Sequence, residues 1–163
     1  MFDDVLDNVL FNVWDNFLFN EPFIITLMVA YFLRNNIPYL HSFIIGSCLN
    51  LFLNKVLKLF FRQNRPTDVK SDSHMSYTGA EQYGMPSGHM QIAFFAIVYY
   101  YLLKKSIVPT LILLFFTGLV FYQRYVNRNH TIEQLLIGSI VGSAVAYIVF
   151  YGMERYLSKK DFT

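Results

Sequence analysis

Five apolar stretches, each close to the length a helix needs to cross a bilayer, constrain this chain more than any other feature. They cover about residues 23–33, 38–61, 86–103, 107–122 and 131–151, and the first can extend back through residues 17–19. A span needs roughly 20 apolar residues. Inside lipid every backbone N–H and C=O must be satisfied internally, which favours helices over any open sheet. The expected fold is therefore all-α: an integral-membrane helical bundle with about five transmembrane helices. Composition agrees, with 55% hydrophobic and only 15% charged residues, where a soluble domain carries about a quarter charged.

Residues 2–18 have a different pattern. Phe2, Leu6, Val9, Val13 and Phe17 recur at helical spacing, with Asp4, Asp7, Asn8, Asn12 and Asp15 largely on the other side. Segment 1–20 is too polar to span and reads as an amphipathic helix lying at the interface. The chain reads as one domain, residues 1–163, with a polar loop at about 62–85. The acidic start (Asp3, Asp4, Asp7) is unlike a cleavable signal peptide. A net charge of +2 without a basic stretch gives no nucleic-acid surface. The single Cys48 sits in an apolar run and reads as packing, while Trp14 and Tyr99–Tyr101 read as interface aromatics. No zinc spacing, P-loop or dinucleotide fingerprint is present, so neither metal nor cofactor is expected. Gly138, Gly142, Ser143 and Ala144 give the last run small residues suited to close helix packing.

Against this apolar background three polar clusters stand out at the borders of the runs. The first is Lys58, six residues, then Arg65-Pro66; the second is Pro86-Ser87-Gly88-His89; the third is Arg124, five residues, then His130. Five crossings put all three on one membrane face. The other face carries Arg34, Lys104, Lys105, Arg155, Lys159 and Lys160, the cleaner positive excess, and is expected to be cytoplasmic. Charged groups at membrane borders call for a reason, and a phosphate group held between them supplies one.

Lys58 and Arg65 are seven residues apart and share one face if their helix continues, with Pro66 turning the chain away. A guanidinium fork and an ammonium suit a phosphoryl group, and Arg124 adds a third cation. Ser87 and Gly88 precede an apolar helix, whose N-terminus is an anion site that glycine lets a ligand approach closely. Two imidazoles remain, suited to the roles of nucleophile and general acid, with the cations stabilising the transition-state charge without a metal. Either Glu133 or Gln134, one turn after His130, can orient that ring. His41, His74, Lys55 and Arg62 read as interfacial or snorkelling residues.

These three clusters resemble the signature of the type 2 phosphatidic acid phosphatase superfamily, in the same order, over residues 58–134. The resemblance implies that Lys58, Arg65, Arg124, Ser87 and Gly88 bind phosphate, that His89 is the general acid and His130 the nucleophile, and that no metal takes part. Two positions depart from it. Gln123 stands where the family usually has serine, and Gln134 where it often has aspartate. Tyr83-Gly84-Met85 before the second cluster, Gln91 after it, and His130-Thr131-Ile132-Glu133-Gln134 are similar to the dolichyl diphosphatase branch.

The expectation is thus a phosphatase for a polyprenyl (dolichyl-type) diphosphate, releasing phosphate and recycling a lipid carrier after glycan transfer. Its active site would be lumenal in the endoplasmic reticulum of a eukaryote, or external at a bacterial plasma membrane. The alternatives are another lipid phosphate, such as phosphatidate or phosphatidylglycerol phosphate, and a non-catalytic protein that binds an anionic lipid. The partners expected are the bilayer and a membrane lipid, and the sequence leaves the oligomeric state open.

Overall fold

The structure, a computed structural model, describes residues 20–66 and 79–160. The expected interfacial helix, apart from Asn20, and residues 67–78 with His74 lie outside the described residues. Among the described residues five α-helices follow one another: α1 Asn20–Leu33, α2 Ile37–Phe61, α3 Gly88–Lys104, α4 Ile107–Val126 and α5 Ile132–Lys160. A 3-10 turn, Gly79–Gln82, precedes α3. The protein is an all-α membrane bundle.

Helices α2, α4 and α5 are long and apolar enough to cross a membrane. Two of the five expected crossings are shorter. α1 is a short apolar helix, and α3 has 17 residues, a length of about 25 Å against a hydrocarbon core of about 30 Å. α3 is the central helix, with Met90, Gln91, Ala93, Phe95, Ala96, Ile97, Tyr99, Tyr100 and Leu102 all buried. Tyr99 and Tyr100 therefore belong to the core and not to an interface belt. Cys48 faces outward, along with Leu27, Phe52, Phe60 and Ile148, which are exposed large apolar residues. In a bundle of this composition that surface is the lipid-facing one.

The helix ends follow local rules. α2 begins after Asn36 with Pro38 in its first turn and stops where Arg62 turns left-handed at φ 47°. α5 is longer than its apolar run and continues through Glu154, Arg155 and Lys159. Its packing on α3 depends on two glycines. A Cβ at Gly138 would stand 2.5 Å from the Ser87 carbonyl oxygen, and one at Gly142 would stand 2.2 Å from that of Gln91. Both positions press the two backbones together, as small residues do between membrane helices, whereas Ala144 is exposed.

One half of the bundle is aromatic. Phe43 of α2 packs on Phe95 and Tyr99 of α3 at centroid distances of 5.5 and 5.3 Å, and Tyr99 meets Phe150 of α5 edge-on at 5.7 Å. Towards the other end the α2–α3 contact becomes polar. Gln91 Nε2 donates to Asn50 Oδ1 at 2.8 Å, and Asn54 Nδ2 donates to Gln91 Oε1 at 2.8 Å. Asn50 and Asn54 are one turn apart on α2, so a single glutamine bridges both. A second buried polar contact joins α1 to α4, where Thr117 Oγ1 donates to Glu21 Oε1 at 3.1 Å.

Candidate active site

Lys58 lies in the last turn of α2 and is 2% exposed. The helix does not continue to Arg65, so these two cations do not share a helical face as expected. Instead, the left-handed Arg62 ends α2 and the chain doubles back. Both cations meet at Glu81 on the 3-10 turn. Lys58 Nζ is ion-paired with Glu81 Oε2. Arg65 Nη2 stands 4.0 Å from the same oxygen, and Arg65 Nε donates to the Glu81 backbone carbonyl at 3.1 Å. A buried lysine needs a counter-charge, and Glu81 provides it.

The second cluster caps α3. Ser87 is the residue before the first helical turn, and its backbone N–H donates to the Gln134 carbonyl at 3.0 Å. Asn54 Nδ2 donates to the Pro86 carbonyl at 3.2 Å, so the amide bridge of α2 and α3 also holds this loop. A Cβ at Gly88 would come within 3.3 Å of Asn54 Oδ1. The Ser87 hydroxyl is buried and has no hydrogen-bond partner among the described residues. It stands beside first-turn amides that have no acceptor within their own helix. A hydroxyl and open amides at a helix start are what an anion needs.

The third cluster owes its spacing to a helix end. Asn129 N–H bonds to the Arg124 carbonyl at 3.0 Å and Arg128 N–H to that of Tyr125 at 3.0 Å, with Arg128 left-handed at φ 53°. This is a Schellman motif with an arginine where glycine is commonest. It folds the chain sharply, so that His130 N–H also reaches the Arg124 carbonyl at 3.3 Å. Arg124 and His130 thus flank one tight turn. Arg124 Nη2 bonds to His89 Nε2 at 2.9 Å, and Arg65 Nη1 bonds to His130 Nε2 at 3.2 Å and to the Asn129 carbonyl at 2.9 Å.

The start of α5 fixes the His130 ring. Thr131 N–H donates to Gln134 Oε1 at 3.2 Å, and Gln134 N–H donates to Thr131 Oγ1 at 3.3 Å. That reciprocal pair is a capping box. The same Gln134 Oε1 stands 3.2 Å from His130 Nδ1. Gln134 Nε2 donates to the Asn64 carbonyl at 3.0 Å and to Gln63 Oε1 at 3.0 Å, which sets which end of the amide is oxygen. An oxygen facing Nδ1 requires the proton there, and an arginine facing Nε2 can only donate. Both neighbours select the same tautomer, with the Nε2 lone pair directed towards Arg65. Glu133 does not meet the ring; it is exposed and takes a long 3.4 Å bond from Gln63. Burial, Arg65, His89 and Lys58 together hold the His130 imidazole well below its ordinary 6.5, the Gln134 bond opposing them.

All five charged or imidazole residues expected at the site thus stand at one end of the bundle, with Ser87 and Gly88 beside them. The sequence reading missed Glu81, Asn54 and Gln63. Glu81 and Gln63 lie in ordinary polar loop sequence, and the signal for Asn54 was a polar residue inside the apolar run of α2, one turn before Lys58. Gly84 had a clearer signal, since a Cβ there would come within 2.3 Å of Gln134 Oε1. Among the described residues no group of three or more His, Cys, Asp and Glu side chains stands close enough together to hold a metal ion.

Two imidazoles, two arginines and a buried lysine thus gather at one end of a membrane helix bundle. The chain belongs to the PAP2 superfamily, which it matches over residues 23–157. It is similar to "Dolichyldiphosphatase 1" of Dictyostelium discoideum, 32% identical over 71% of this chain and 52% of that protein. It is also similar to "Lipid phosphate phosphatase epsilon 1, chloroplastic" of Arabidopsis thaliana, 33% identical over 73% of this chain and 42% of that protein. The chain spans about half the length of these curated relatives. No solved structure matches.

Proposed function

We propose that this chain is a membrane phosphatase that hydrolyses a polyprenyl (dolichyl-type) diphosphate by a phosphohistidine mechanism, with residues 1–163 acting as one membrane-embedded domain. The observation that carries the reading is the His130 tautomer. Its Nδ1–H is held by Gln134 Oε1 at 3.2 Å, and its Nε2 lies 3.2 Å from Arg65.

In this mechanism the terminal phosphoryl group lies against Lys58, Arg65, Arg124, the Ser87 hydroxyl and the α3 amides from Gly88 onward. His130 Nε2 attacks phosphorus while the bond to the bridging oxygen breaks. In the empty site His89 accepts from Arg124 through Nε2; with the anionic substrate on Arg124 it takes up a second proton, and as imidazolium it passes one to the leaving polyprenyl monophosphate and becomes neutral. The phosphoimidazolium keeps its Nδ1–H on Gln134. Water, giving a proton to the now neutral His89, then attacks phosphorus; the P–N bond breaks, inorganic phosphate leaves, His130 returns to its neutral Nδ1–H form and His89 to the imidazolium that starts the next turnover. The fixed cations stabilise the equatorial oxygens throughout, so the mechanism calls for no metal. His130, held neutral by its surroundings, is ready as a nucleophile at any pH near neutrality.

The Dictyostelium relative's name supports the diphosphate reading. The Arabidopsis relative, at nearly the same identity, supports a second reading in which the substrate is another lipid phosphate. The reading places the site on the lumenal face of the endoplasmic reticulum in a eukaryote, or the outer face of a bacterial plasma membrane. The test is phosphate release by purified protein in detergent, without added magnesium, from farnesyl or dolichyl diphosphate and from phosphatidate. The diphosphate is expected to be the faster substrate and His130→Ala inactive. Faster phosphatidate turnover would favour the second reading. Wild type as inert as the variant on every lipid phosphate would leave only a lipid-binding role.

A further inference from the structure

Glu81 lies where a carboxylate is least expected if the pocket only receives anions. One of its oxygens is ion-paired with Lys58 Nζ and lies 4.0 Å from Arg65 Nη2. Its backbone carbonyl accepts from Arg65 Nε at 3.1 Å. These two cations are the ones the phosphatase reading gives to the substrate, so the chain supplies its own anion to the cradle. The attachment is one-sided. Glu81 is 49% exposed, whereas Lys58 is 2% exposed. With about half of its side chain open to solvent, the Glu81 carboxylate can leave the two cations by turning outward.

We infer that Glu81 is a specificity-determining residue: its carboxylate holds the Lys58–Arg65 cradle until a terminal phosphate carrying two charges displaces it. This rests on the phosphatase reading of the same site. The physical argument is a charge exchange. A phosphodiester monoanion brings one negative charge and removes one, so it gains little Coulomb energy against the same cations. A terminal phosphate, as in a monoester or a diphosphate, brings about two charges and more acceptor oxygens than a carboxylate, so it gains on both counts. The internal carboxylate also offsets the cost of leaving Lys58 buried and uncompensated between turnovers. Glu81 thus raises the threshold for entry while keeping the empty pocket stable.

The experiment compares wild type with Glu81→Gln, which keeps shape and the backbone bond to Arg65, and with Glu81→Ala. Binding of inorganic phosphate (two charges near pH 8) and dimethyl phosphate (one charge) is read by thermal shift and by inhibition of diphosphate hydrolysis. Both variants are expected to melt lower than wild type without ligand and to regain more of that loss when phosphate is added. Their affinity for dimethyl phosphate should rise by about tenfold or more, the size expected when a charged competitor is removed, and by more than their affinity for phosphate. Equal or weaker binding of both anions by folded variants would overturn the inference while leaving the phosphatase reading standing. If wild type and variants bind neither anion and hydrolyse nothing, the cradle reading falls and takes this inference with it.

Discussion

Helices α2, α3 and α5 run through two regions of opposite chemistry. At one end Phe43, Phe95, Tyr99 and Phe150 interlock. At the other Lys58, Arg65, Arg124, His89 and His130 stand close together. The Asn50–Gln91–Asn54 bridge lies between them. The aromatic end is held by area and shape, terms that add over many weak contacts. The polar end gathers like charges, which destabilises it, and it is held by a few specific partners: Glu81, the Gln134 capping box and the Arg124 turn. In such a molecule, stability and chemistry separate by region. Substitutions at the aromatic end should lower the melting temperature and spare turnover in whatever remains folded. Those that remove a reacting imidazole at the polar end should do the reverse.

The sharpest break of that rule would come from His130→Ala. The expected loss of phosphate release is at least about 10⁴-fold, as for removal of other covalent nucleophiles, with little change in melting. A variant that unfolds instead would show that the pocket, not the aromatic end, holds the bundle together. The next effect belongs to the other region. Phe43→Ala removes a 1% exposed ring and should cost about 3–5 kcal/mol, read from denaturation in detergent, with kcat of the folded fraction near wild type.

The two regions also differ in how much of them could be read in advance. The apolar runs mark the helices because lipid leaves the backbone no alternative, and α2 and α4 begin within a residue of where their runs begin. The pocket is legible only in part. Lys58, Arg65, His89, Arg124 and His130 are visible because charge at a membrane border is costly. Their partners are not, because Glu81 and Gln63 lie in ordinary polar loop sequence and reach the site only through the left-handed turn at Arg62. The choice between Glu133 and Gln134 was legible in principle. Thr131-x-x-Gln134 is a capping box, and the box decides which side chain turns back towards His130. The burial of Tyr99 and Tyr100 could not be read from their own run, because it depends on α3 being the helix that its neighbours surround.

Gln134 sharpens the comparison, because it is a structural cap and a ring-holder at once. Gln134→Leu removes the acceptor at His130 Nδ1 and frees the ring to turn. A loss of about 10²-fold in kcat is expected, similar to loss of other orienting partners, together with about 1 kcal/mol of stability from the lost cap. Gln134→Glu keeps an acceptor at the ring but loses the donor to Asn64 and Gln63. It should keep more of the activity than the leucine variant, and equal losses in both would show that the cap alone matters.

The smallest effect is a pH dependence of stability that originates wholly in the polar region. His130 titrates well below its ordinary 6.5 in the folded protein, whereas the unfolded chain takes up that proton near 6.5. Below that pH the unfolded state binds more protons than the folded one, so stability present above 6.5 is lost as the pH falls towards the folded value. For one group the slope is at most about 1.4 kcal/mol per pH unit. His130→Asn should flatten the melting profile below pH 6.5, whereas Phe43→Ala should lower the whole profile without changing its shape. The signature of two separable regions is therefore a change of slope from one substitution and a change of height from the other. If Phe43→Ala also altered the slope, the aromatic end would be shaping the electrostatics of the pocket, and the division between packing and chemistry would fail at the Asn50–Gln91–Asn54 bridge that joins them.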